Sequence, residues 1–138
     1  MASTDDTRRP WHERVAAHQA SDRRLRVPIG VIGPRDASAA QLACAREIGE
    51  GLAAMGLAVI CGGRHGVMEA VAEGVTRHGG VAIGLLPDVT PELANPFLTH
   101  VIATGIGEAR NAIIARSAFC LVAIGTSHGT LSEVALGL

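Results

Sequence analysis

From Arg26 onward, short uninterrupted apolar runs alternate with longer segments whose apolar positions recur every three or four residues. The runs 27–32, 57–61, 81–86, 99–103 and 119–124 predict five buried strands, several of them ended by glycine. Between the first two, Ser38 precedes Gln41 by three residues, a capping-box spacing, and Leu42, Cys44, Ala45, Ile48, Leu52 and Met55 continue at helical intervals up to Gly56. A second helix is predicted over Val67–Arg77, stopped by Gly79-Gly80, and a third over Glu108–Ser117. A last one starts near Thr130 and is still running at Leu138. A proline-rich loop runs from Pro87 to Pro96.

Continuous apolar strands alternating with helices predict an α/β fold, a doubly wound parallel sheet in a Rossmann-like three-layer α/β/α arrangement. Residues 26–138 form the expected domain. Residues 1–25 are polar and charge-rich, a tail with a short helix over Trp11–Gln19. A sheet of this type ordinarily continues with another strand, so the chain reads either as truncated at its C-terminus or as a short version of the fold.

Composition narrows the function. At 138 residues and 48% hydrophobic content, one domain burying roughly two-thirds of its unfolded surface needs no disulfides or metals to fold. Residues 27–138 carry six Arg against nine acids, which is no electrostatic footprint for nucleic acid. Low aromatic content also disfavours a single-strand-binding module. Every Lys/Arg position is Arg; without Lys there is neither a Schiff base for pyridoxal phosphate nor a Walker A loop. Cys44, Cys61 and Cys120 lack C-x-x-C spacing and read as buried free thiols of a reducing compartment. No apolar run spans a bilayer and no apolar leader opens the chain, so no membrane partner and a cytoplasmic location are expected.

The chemistry points to four glycine-bearing turns at strand ends: 30–33, 62–66, 105–107 and 125–129. Glycine lets backbone N–H groups approach an anion, and a following helix N-terminus adds partial positive charge. Four such turns at one edge of a parallel sheet imply a shared anion cleft beyond the strand C-termini. None is G-x-G-x-x-G, and the second strand ends in Cys61-Gly62 rather than an acid, which speaks against a nicotinamide dinucleotide.

Three segments then carry a resemblance: Cys61-Gly62-Gly63-Arg64-His65-Gly66-Val67-Met68-Glu69-Ala70, Ala109-Arg110-Asn111, and Gly125-Thr126-Ser127-His128-Gly129-Thr130-Leu131-Ser132-Glu133. In order and spacing they resemble the LOG family, Rossmann-like proteins often mislabelled lysine decarboxylases. Its best-known members hydrolyse cytokinin riboside 5′-monophosphates, and a sister branch contains molybdenum-cofactor carrier proteins. The resemblance implies catalytic roles for Arg110 and Glu133, a phosphate loop at Gly129 and Thr130, and a homodimer. Asn111 replaces the family's Lys, and Gly125-Thr126-Ser127 replaces Pro-Gly-Gly, which brings the chain closer to the carrier-like branch.

Plainer roles stand beside these. Thr130-x-x-Glu133 is also a capping box, so Glu133 serves equally as a helix cap. Arg110 near a helix N-terminus opposes the dipole, which suits a bound anion. Arg116 reads as a surface residue, and His65 and His128 as solvated loop residues. With Cys61 these histidines lack zinc-site spacing, so no metal site is expected. The expected ligand is a nucleotide or nucleotide-like phosphate held by Gly33, Gly62, Gly63, Gly107, Asn111, Gly129 and Thr130. A nucleoside monophosphate or a molybdopterin-type molecule satisfies this, with no cofactor required for catalysis. If the chain is an enzyme, it cleaves the N-glycosidic bond of a nucleoside 5′-monophosphate, with Glu133 stabilising an oxocarbenium-like state and Arg110 holding the anionic portion.

Overall fold

The computed structural model describes residues 6–125. After a 3₁₀ turn at Asp6–Arg8 come α1 (Trp11–Gln19), β1 (Ile29–Ile32), α2 (Ala39–Ala54), β2 (Val59–Cys61), α3 (Val67–Arg77) and β3 (Ala82–Leu86). Then follow β4 (His100–Ala103), a 3₁₀ turn at Gly107–Ala109, α4 (Arg110–Ser117) and β5 (Leu121–Ala123). The strands form one sheet in the order β4-β3-β2-β1-β5, and every pairing is parallel. The α/β fold and the doubly wound sheet read from the sequence are therefore present.

Each strand is shorter than its apolar run. The ladder begins at Ile29 rather than Val27 and at Leu121 rather than Phe119. Pro28 has no N–H to give, and its carbonyl accepts from Phe119 N at 2.8 Å. The leading residues Val27, Val81 and Phe119 are exposed. They enlarge the lower rim of the sheet instead of its core.

The faces follow from strand alternation. Ile29, Val31, Val59, Cys61 and Ala82 pack with α2 and α3, whereas Ile32, Ile60 and Leu85 pack with Ile114 of α4. The α2–α3 contact is backbone to backbone. A methyl group on Gly49 would strike the Val71 carbonyl, and one on Gly74 the Arg46 carbonyl. Ser38 and Gln41 form the expected reciprocal capping box at the start of α2. Of the three cysteines only Cys61 is buried; Cys44 and Cys120 are exposed, contrary to expectation. Ala45, Gly49 and Leu52 define the inward stripe of α2, and Cys44 lies one residue off it. No helix among the described residues is long and apolar enough to cross a membrane.

The helix α1 matches the span read from the sequence and contains no buried residue. Gln19 ties it to the domain: its Nε2 donates to the carbonyls of Leu25 and Gly56, at 3.0 and 3.3 Å, while its Oε1 accepts from Leu25 N at 2.7 Å.

Candidate functional site

Chain order reverses between β1 and β5, which places the topological switch point at their C-terminal ends. The described glycine turns after β1, β2, β4 and β5 all open on that edge. Arg110, the first residue of α4, lies in the middle of it.

The Arg110 side chain runs over the end of β2. A Cβ on Gly62 would collide with its guanidinium and would stand 2.5 Å from Met68 Sδ, so only glycine leaves the channel open. Arg110 is 5% exposed, and its Nε has no hydrogen-bond partner. Among the described residues no carboxylate pairs with it. Burying an unpaired cation costs several kcal/mol, and a helix N-terminus adds repulsion. A side chain held at that cost is complementary to an anion. Asn111 beside it is 3% exposed; its Nδ2 donates to Glu108 Oε2 at 3.3 Å, and its Oδ1 accepts nothing. The start of α4 therefore presents one buried donor group and one buried acceptor, both without a partner among the described residues.

The glycines expected to cradle a ligand divide. Gly62 makes room for Arg110 as described. A Cβ on Gly33 would face Val67 Cγ1 at 2.5 Å and the Ile124 carbonyl at 2.6 Å, so its small size serves packing between β1, α3 and the residue after β5. Gly63, with φ +78°, faces Leu86 and Gly84. Gly107, with φ +63°, has open space where its Cβ would be, but its N–H donates to the Pro87 carbonyl at 3.0 Å. The start of α3 is also partly used, because Val67 N donates to the Pro34 carbonyl at 3.2 Å.

Sequence reasoning missed a second arginine. Arg64 Nη1 donates to both oxygens of Asp88, at 3.1 and 2.8 Å, and its Nε is buried without a partner. Buried Asn95 completes a strap: its Nδ2 donates to the Arg64 carbonyl at 2.8 Å, and its N–H to the Gly63 carbonyl at 3.0 Å. Thr104 and Gly105 also bond to Leu86 and Asp88, which knits together the turns after β2, β3 and β4. The available signal was an arginine inside a glycine turn; its acid lies 24 residues away.

Gly129, Thr130 and Glu133, and with them the predicted last helix, lie outside the described residues. His65 is exposed and sits 3.4 Å from Glu69. Arg116 is exposed. Among the described residues no three His, Cys, Asp or Glu side chains gather as a metal site would require.

Residues 26–138 match the sequence profile of the SLOG cluster4 family. A molybdenum cofactor binding protein from the phototrophic bacterium Rippkaea orientalis is similar in structure, with TM-score 0.79 and 39% identity, over 82% of this chain and 71% of that one. The Moco carrier protein of Chlamydomonas reinhardtii gives TM-score 0.73 and 42% identity, over 80% and 70% of the two chains. An uncharacterized protein of Archaeoglobus fulgidus is 41% identical over 110 residues, 80% of this chain and 72% of its own.

Proposed function

This chain belongs to the SLOG cluster4 family, and from that premise we propose that it is a molybdenum-cofactor carrier, holding the cofactor at the C-terminal edge of its sheet. The observation that carries this reading is the buried Arg110, laid across Gly62 and without a carboxylate partner among the described residues. Its guanidinium offers planar donors that suit a phosphate group. The unused Oδ1 of Asn111 needs an N–H donor, which the amino-bearing ring of a pterin supplies. Relatives at about 40% identity whose names state molybdenum-cofactor binding favour this ligand over a nucleotide. Held this way, the cofactor is cargo: the chain's residues bind and orient it, and none of them is required to break a bond.

The test is direct titration of the purified protein with molybdenum cofactor released from a molybdoenzyme. Saturable binding, weakened at least tenfold by Arg110→Ala, supports the reading. Equal affinity in wild type and Arg110→Ala overturns it.

A further inference from the structure

Several apolar residues left in water at the C-terminal edge of the sheet share one rigid support. Val89 is 82% exposed, and Ile102 and Ile106 are 51% and 49% exposed. The turns that carry them are tied together. Thr104 Oγ1 and Gly105 N donate to the carbonyls of Leu86 and Asp88, at 2.6 and 2.8 Å, and Gly107 N donates to that of Pro87 at 3.0 Å. A Cβ on Gly105 would stand 3.8 Å from Val89, so Val89 and Ile106 are neighbours on adjoining turns. The strand β4 leads into this patch as an edge of the sheet, with no carboxylate, Lys or Arg over His100–Ala103 to guard it. Apolar side chains held in water beside an unguarded edge mark an interaction surface.

Charge and position identify what covers it. Residues 78–109 contain three acids, Asp88, Glu92 and Glu108, and no Lys or Arg. Asp88 is paired with Arg64, whereas Glu92 and Glu108 are exposed and meet no cation among the described residues. The patch also adjoins the start of α4, where Glu108 accepts from Asn111 Nδ2, next to Arg110. Carboxylates beside the seat of an anion weaken its hold, so they serve a different contact. A protein that takes over an anionic cargo carries basic groups around its own empty site, and these match an acidic rim. A second copy of this chain, apposed through the same patch, would instead set Glu92 and Glu108 against like charge. We propose that Val89, Ile102 and Ile106, with Glu92 and Glu108 on the same turns, form the surface on which the protein that receives the cofactor docks. The partner presents an apolar patch flanked by Lys or Arg. This inference rests on the carrier reading.

The probe is a molybdoenzyme produced without its cofactor, titrated calorimetrically with the full, unloaded chain. A saturable complex is expected, weakened by added salt. Val89→Asp/Ile106→Asp should weaken it at least tenfold and Glu92→Arg at least threefold. Phe119→Ser, an exposed position at the opposite rim, should leave it unchanged. Transfer gives a second readout. Val89→Asp should take up cofactor with wild-type affinity, which also reports that it is folded, yet restore the activity of the molybdoenzyme at least threefold more slowly. No complex, equal affinity in Val89→Asp/Ile106→Asp, or tighter binding by Glu92→Arg would each overturn the docking surface. So would a dimer of this chain, seen by sedimentation, that Val89→Asp dissociates. Failure of the carrier reading is seen separately, in the cofactor titration of wild type and Arg110→Ala, because the complex with the unloaded chain is measured without cofactor.

Discussion

Asp88 accepts two hydrogen bonds from Arg64 Nη1, at 3.1 and 2.8 Å, and so neutralises a second guanidinium at the C-terminal edge of the sheet. Asp88→Asn keeps the side-chain shape and removes the charge. Both partners are largely covered but not sealed from solvent, so the loss of stability should be about 1 kcal/mol. Affinity for inorganic phosphate should rise severalfold, because Arg64 then acts as a cation. Urea unfolding and a phosphate titration at fixed ionic strength check both effects; unchanged phosphate affinity places Arg64 outside the anion's reach.

Arg110 should be a residue that the fold tolerates for the sake of the ligand. Arg110→Met retains the volume along Gly62 and discards a buried charge that has no partner among the described residues. Stability should increase by about 1–3 kcal/mol, while cofactor binding is lost. Destabilisation on urea unfolding would mean that Arg110 serves the fold.

Gly62→Ala tests the same channel from below. The added methyl meets the guanidinium and Met68 Sδ, so overpacking should cost about 1–3 kcal/mol. Cofactor affinity should fall with it. The double variant Gly62→Ala/Arg110→Ala should recover part of the stability, since it removes the clash with the guanidinium and leaves the one with Met68 Sδ. A double-mutant cycle in urea reads the coupling.

Nucleoside 5′-monophosphates should not be hydrolysed. The position that the LOG resemblance gives to Lys holds Asn111, a neutral side chain bonded to Glu108. Wild-type protein incubated with a panel of monophosphates should release no free base by chromatography. Measurable release that Glu133→Gln abolishes would restore the hydrolase reading.

The periodicity of the sequence was enough for the sheet, the α2 cap and the span of α3, because each depends on neighbours a few residues apart. It overextended the strands at Val27, Leu57, Val81 and Phe119, since an apolar residue at a rim looks the same in sequence as one in a ladder. Arg110 was legible because its charge opposes a helix start. Asp88 was not, because pairing with Arg64 depends on how two loops meet. Gly33 shows a further limit: a glycine announces that something lies close, but not whether that neighbour is a ligand or, as here, Val67.

Backbone contact through Gly49 and Gly74 has a mechanical consequence. The layer of α2 and α3 cannot slide without forcing main chain into main chain. The opposite layer, among the described residues, is the eight-residue α4. The cleft therefore has one stiff jaw and one light jaw, and Arg110 and Asn111 ride on the light one. In the proposed reading, the residues that hold the cargo therefore belong to the thinner of the two described layers.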